Sequence, residues 1–164
     1  MKAESEFVTV NSCGEIESSF PAAVVDTSFL AGAILSDVVG DESKEAAEFI
    51  EDLISKNGQL VVPQLFWFEI GNVFLNAVKP KKDGRESRIS KMQLLKIEQL
   101  LTDLPIYTDL QPDSETRMRI REIAMEFDLS YYDASYLELA QRKGLQLKTF
   151  DRQLLQAISR CGSL

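Results

Sequence analysis

Ala22-Ala-Val-Val-Asp26-Thr-Ser-Phe-Leu30 compresses a strand, a turn and a helix start into one short stretch. Ala22 to Val25 is an apolar run of strand length, and Asp26 ends it. Thr27 and Ser28, residue types that cap helices, precede a helix-compatible stretch from Phe29 to Leu35. An apolar run that passes through an acid straight into a helix is the opening unit of an alternating α/β chain.

The unit recurs along the chain. Glu42 to Lys56 carries Ala46, Phe49, Ile50 and Leu53 on one helical face, and Asn57-Gly58 closes it. Leu60 to Val62 reads as a second strand, with Pro63 as the first-turn proline of a helix from Gln64 to Val78. A polar link from Lys79 to Arg88 leads to a helix around Ile89 to Thr102, with Met92, Leu95 and Leu100 as its apolar residues. Ile106 to Thr108 is a third strand, and Asp113 to Phe127 is a mixed-charge helix. A helix from Ser130 to about Arg142 stops at Gly144, Leu145 to Thr149 alternates like a strand, and Asp151 to Ser159 is a last short helix. Strands alternating with helices predict a mostly parallel sheet covered on both faces. Residues 22–164 are expected to form one domain. Met1 to Pro21, with Lys2 against Glu4, Glu6, Glu15 and Glu17, reads as a mobile extension or an expression-tag remnant outside the fold.

Composition narrows the chemistry. The 164 residues suit one globular domain, and 26 acidic against 18 basic residues give a net charge of −8, unlike a general nucleic-acid binder. A polyanionic partner must then meet a local basic patch or a metal ion. The chain has no histidine, which removes every Ser-His or Cys-His nucleophile and leaves acid-base work to carboxylates, Lys, Tyr or metal-bound water. Cys13 and Cys161 stand alone, so neither a disulfide framework nor a Cys-rich zinc site is expected. No run reaches the apolar length of a membrane span and the start lacks a signal peptide, so a soluble protein of the reducing cytoplasm is expected.

Acids just after strands are the ones to weigh, because ligands of parallel α/β sheets bind beyond the carboxyl ends of the strands. Asp26 and Asp151 occupy such places, each immediately before a helix, where a plain helix cap is the competing role. Asp133 closes Ser130-Tyr-Tyr-Asp133, which has capping-box spacing. Glu69 lies inside Leu65-Phe-Trp-Phe-Glu-Ile-Gly-Asn-Val-Phe74, at the rim of a strongly apolar helix, where an ion pair with Lys or Arg is the alternative. Converging on one pole of the sheet, the four acids would offer oxygen ligands suited to Mg²⁺ or Mn²⁺ and to metal-assisted phosphodiester hydrolysis. That chemistry lets an acidic protein act on RNA. Lys79, Lys81, Lys82, Arg85, Arg88 and Lys91 against Asp83 and Glu86 form a stretch of net +4 that can hold phosphates; a solvated linker is the alternative. Trp67, Phe68, Tyr131 and Tyr132 are read as core rather than as base-stacking groups.

These residues resemble a known family. Val-Val-Asp26-Thr-Ser-Phe-Leu, Val-Pro-Gln-Leu-Phe-Trp-Phe-Glu69-Ile-Gly-Asn-Val-Phe, Leu129-Ser-Tyr-Tyr-Asp133-Ala-Ser-Tyr-Leu-Glu-Leu-Ala and Leu-Lys-Thr149-Phe-Asp151-Arg-Gln-Leu are similar to the PIN-domain ribonucleases, especially the VapC toxins of VapBC toxin-antitoxin pairs. The resemblance spans about Ala22 to Ile158. It implies a three-layer α/β/α fold and a catalytic and metal-binding acidic set of Asp26, Glu69, Asp133 and Asp151, of which Asp151 aligns with the more variable acid. Thr27, Ser28 and Thr149 match polar positions that orient a metal-bound water. The resemblance further implies Mg²⁺ or Mn²⁺, an RNA substrate, a homodimer and a cognate antitoxin that blocks the site. The extension before Ala22 departs from these compact toxins.

Other classes fit less well. A haloacid-dehalogenase-like phosphatase needs a second acid two residues after its nucleophilic Asp, and Ser28 stands there. A response-regulator receiver needs an acid neighbouring Asp26, where valines precede it. A PIN-like RNA- or protein-binding module without turnover is the non-enzyme alternative.

Overall fold

The computed structural model describes residues 20–35, 41–80 and 86–161. The N-terminal extension up to residue 19, with Cys13, and Lys81, Lys82 and Arg85 of the basic stretch lie outside the described residues.

The elements follow in the order β1 (Ala22–Val25), α1 (Thr27–Ile34), α2 (Asp41–Ser55), β2 (Gln59–Val62), α3 (Leu65–Val78), α4 (Lys91–Asp103), β3 (Ile106–Thr108), α5 (Ser114–Phe127), α6 (Tyr131–Lys143), β4 (Gln146–Lys148) and α7 (Arg152–Arg160). The strands form one sheet in the order β3-β2-β1-β4. Every pairing is parallel, with Val24 opposite Val61 and Leu147, and Val61 opposite Tyr107. Val24, Val25, Leu60, Val61 and Val62 are fully buried, as a parallel sheet covered on both faces requires.

The crossover rule sets the layers. From β1 to β2 to β3 the chain moves one way along the sheet, so right-handed connections put α1 to α4 on one face. From β3 to β4 it travels back past β1, which puts α5 and α6 on the other. The result is a three-layer α/β/α fold in which α1 packs on α2 and α3, and α6 packs on α5, β1 and β4. The strand order reverses between β1 and β4, and the crevice beyond their carboxyl ends is where such folds bind ligands.

Local chemistry refines several expected boundaries. The cap of α1 is Asp26 itself, whose carboxylate accepts from the Phe29 amide, so Thr27 is already helical rather than a cap. Pro63 lies just outside α3, and its carbonyl accepts from the Phe66 amide. Ser90 and Gln93 form a full capping box for α4. That phase buries Leu101 and half-buries Leu94 and Ile97, while Met92 and Leu95 are 70% and 71% exposed, the reverse of the face expected from the sequence. Gly144 ends α6 in the left-handed region at φ 62°, a conformation that glycine adopts without steric cost.

A buried ion cluster braces α6. The Glu138 carboxylate, with its side chain 3% exposed, accepts from Arg142 Nε at 2.9 Å and from Arg119 Nε at 3.2 Å. Arg142 also pairs with Asp109 at 2.7 Å. Asp109 follows β3 and its amide donates to the Val62 carbonyl, so the cluster ties α5 and α6 to the sheet edge. Breaking such a buried cluster costs more than any exposed pair contributes.

Candidate active site

Asp26, Glu69, Asp133 and Asp151 line one open cleft of about 350 Å³, together with Thr27, Ser28, Ala31, Asn72, Val73 and Tyr136. It lies at the switch point between β1 and β4. The four acids expected from the sequence therefore share one cavity, although they come from the ends of two strands and from helices in both layers.

Asp26 is the centre of the hydroxyl network. It is 6% exposed, and its amide donates to the Lys148 carbonyl, which fixes the end of β1 against β4. Its carboxylate accepts from the Phe29 amide at 2.9 Å, Ser28 Oγ at 2.8 Å and Thr149 Oγ1 at 2.6 Å. Burial pushes its pKa upward, opposed by those hydrogen bonds and aided by the nearby Asp151 charge. A carboxylate raised in this way gains from a cation.

Ser28 and Thr149 also receive hydrogen bonds, Ser28 Oγ from the Phe150 amide and Thr149 Oγ1 from the Asp151 amide, both at 2.9 Å. Each hydroxyl clips the β4–α7 turn to the β1–α1 turn. Asp151 accepts from the amides of Gln153 and Leu154 at 2.8 and 2.9 Å, as the cap of α7. Phe29 sits between Phe49 and Phe150, with ring centroids at 5.7 and 5.0 Å, and holds the turn against α2.

Glu69 meets hydroxyls rather than the guanidinium or ammonium of the ion-pair alternative: among the described residues, Oε2 accepts from Thr27 Oγ1 at 2.9 Å and from Tyr136 OH at 2.5 Å. Burial, followed by the bond to Glu69, raises the Tyr136 phenol far above its ordinary pKa, so it remains a donor. Asp133 accepts from Ser130 Oγ at 2.6 Å while its amide donates to the same oxygen at 3.0 Å. The capping-box spacing thus holds, but the Asp133 carboxylate meets the Ser130 hydroxyl instead of its amide.

Cap and cleft roles are therefore not alternatives in this chain. Asp26 and Asp151 cap helices and line the cleft at once. Tyr136 and Asn72 are the lining polar residues that sequence reasoning passed over. Of the basic stretch, Lys79, Arg88 and Lys91 are exposed. Trp67, Phe68, Tyr131 and Tyr132, expected in the core, are all exposed, Phe68 and Tyr132 to 81% and 63%.

The donor set is all oxygen, which fits a hard divalent cation. Among the described residues no three acids stand close enough together to form a ready metal cage. Mg²⁺ commonly takes one or two carboxylates and keeps several waters, which this cleft can accommodate.

A family model, the PIN domain, matches residues 23–159. The chain belongs to the PIN-domain family. Two solved structures share the fold. PAE2754 from Pyrobaculum aerophilum superposes with a TM-score of 0.55 at 23% identity, covering 84% of this chain and 86% of that one. VapC20 of Mycobacterium tuberculosis, a toxin that cleaves the sarcin-ricin loop, superposes with a TM-score of 0.58 at 16% identity, covering 87% and 96%. At these identities the likeness is one of fold. No curated protein matches this PIN chain in sequence. No helix among the described residues is long and apolar enough to cross a membrane.

Proposed function

We propose that this PIN-domain protein is a Mg²⁺- or Mn²⁺-dependent endoribonuclease, and that it is the toxin of a VapBC-type pair. The observation that carries the reading is the convergence of Asp26, Glu69, Asp133 and Asp151 on one cleft at the switch point of the sheet. A bound divalent ion supplies an activated water and charge neutralisation for phosphodiester hydrolysis.

The chain's own residues do the rest. Asp26 and Asp133 hold the ion, Glu69 completes the set, and Asp151 assists from the cap of α7. Ser28 and Thr149 fix the Asp26 carboxylate, and Thr27 fixes Glu69. Lys79, Lys81, Lys82, Arg85 and Arg88, with Lys91, contact RNA phosphates without reading sequence. The protein works in the cytoplasm as a homodimer. A cognate antitoxin inhibits it by placing a basic side chain among the acids, where an arginine pairs bidentately with carboxylate.

A second reading has one observation in its favour. The acids are turned to caps and hydroxyls and do not make a ready three-carboxylate group among the described residues, as a binding module without turnover would allow. Incubation of the pure protein with total RNA in Mg²⁺, Mn²⁺ or chelator, followed by end mapping, separates the two. Discrete metal-dependent ends support the nuclease; bound but intact RNA supports the module.

A further inference from the structure

Tyr136 joins the two helical layers at the cleft. It lies on α6, on one face of the sheet, yet its hydroxyl donates to Glu69 on α3, on the other face, at 2.5 Å. Thr27 Oγ1, from the first turn of α1, reaches the same Glu69 oxygen at 2.9 Å and stands 3.1 Å from the Tyr136 hydroxyl. Two neutral donors thus occupy Oε2.

The consequence is directional. A glutamate on a helix has three side-chain torsions and loses considerable rotamer freedom when fixed. With Oε2 held by two hydroxyls, the carboxylate plane is set, and Oε1, which accepts no hydrogen bond among the described residues, remains for a ligand. The Tyr136 ring is itself fixed, because the residue is 2% exposed and belongs to the hydrophobic core. A buried aromatic ring is a rigid post for its hydroxyl. Asp133 lies one helical turn before Tyr136 on α6, so the same helix that presents one acid aims another.

We propose that Tyr136 is a positioning residue of the cleft: its hydroxyl, with that of Thr27, orients the Glu69 carboxylate toward a divalent cation. This rests on the metal-dependent reading above. Outer partners that orient metal-ligating groups typically contribute 10–100-fold to affinity or activity.

The test is Tyr136→Phe, which keeps the ring and removes only the hydroxyl, with Mn²⁺ binding measured by calorimetry and by the electron-spin signal of free Mn²⁺. The expected result is Mn²⁺ binding weakened by about 10-fold or more, in a variant that still unfolds cooperatively. RNA cleavage should fall through kcat, with KM for RNA unchanged. In a Glu69→Gln background the further change Tyr136→Phe should alter Mn²⁺ affinity by less than about 2-fold, because the group it positions is gone. Equal Mn²⁺ affinity in the parent and Tyr136→Phe overturns the proposal, as does an equal loss in both backgrounds, which marks a merely structural role. A parent protein that binds no Mn²⁺ overturns the metal reading and this proposal with it, whereas a parent that binds Mn²⁺ beside an unchanged Tyr136→Phe overturns this proposal alone.

Discussion

Thr149 Oγ1 lies 2.6 Å from Asp26 Oδ2, a hydrogen bond between residues 123 positions apart in the chain. It closes the crevice between β1 and β4, because the same Thr149 oxygen accepts the Asp151 amide on the far side. One hydroxyl therefore fixes two of the cleft's acids. Its counterpart, Ser28, bridges Asp26 and the Phe150 amide in the same manner.

Thr149→Val keeps the shape of the side chain but leaves the Asp151 amide and one Asp26 oxygen without this partner. Removing one side of a buried hydrogen bond costs about 1–3 kcal/mol. Urea denaturation should show a lower midpoint for Thr149→Val and recovery in Thr149→Ser. A valine variant as stable as the parent would remove this clip from the account.

Asp26 gives the metal-free protein a pH signature. Its folded pKa lies above its ordinary value of 3.8. The folded state therefore binds its proton more tightly than the unfolded chain. Asp26's contribution to stability is fully present below the unfolded value and is lost as pH rises through the raised folded value. In chelator, the stability of the parent relative to Asp26→Asn should accordingly decline across that window. Mn²⁺ favours the charged carboxylate and should stabilise the parent at neutral pH more than the variant. Melting curves at several pH values, with chelator and with Mn²⁺, measure both effects, and parallel curves for the two proteins would contradict the prediction.

Arg142→Leu should destabilise the fold by about 3 kcal/mol, the lower end for breaking a buried ion pair, since Arg119 still meets Glu138 and the Arg142 guanidinium is partly exposed. Chemical denaturation checks it. A loss below about 0.5 kcal/mol, typical of a surface pair, would show that the cluster does not anchor α6.

The basic stretch should contribute affinity without specificity. Lys81→Glu with Lys82→Glu should weaken RNA binding, and the slope of log affinity against log salt should flatten by about 0.7 for each single-strand phosphate that the lysines no longer neutralise. Cleavage at saturating RNA should persist. A salt slope identical to the parent's would mean that these lysines are solvent-facing linker.

The alternation of strands and helices was legible because short β-branched runs and capping residues fall at regular intervals, and the sheet's all-parallel order follows from it. Helix phase was less legible. In α4 both Met92 with Leu95 and Leu94 with Ile97 are apolar, so periodicity alone does not choose between the faces; the capping box at Ser90 and the packing of Leu101 do. Tyr136 stayed hidden for a different reason. Residues 134–140 are buried without a break, so the tyrosine looks like core until a partner 67 positions away is brought to its hydroxyl. The four acids that line the cleft stand out in the sequence because each stands at an element boundary or breaks an apolar face. Their capping roles were found too, but competition between cap and cleft does not arise: a helix start at the carboxyl end of a strand serves both.

The central claim is that the carboxylates of this cleft hold a divalent ion and cut RNA, and its most direct measurement is Mn²⁺-dependent RNA cleavage by the parent, Asp133→Asn and Glu69→Gln, purified identically and mapped at the ends. The account predicts discrete ends for the parent in Mn²⁺ and none in chelator. It predicts a loss of about 100-fold or more in both variants, at or beyond the upper end of the effect of an outer partner, with melting curves unchanged in shape. Parent-level cleavage by both variants, or cleavage that ignores the chelator, would contradict it.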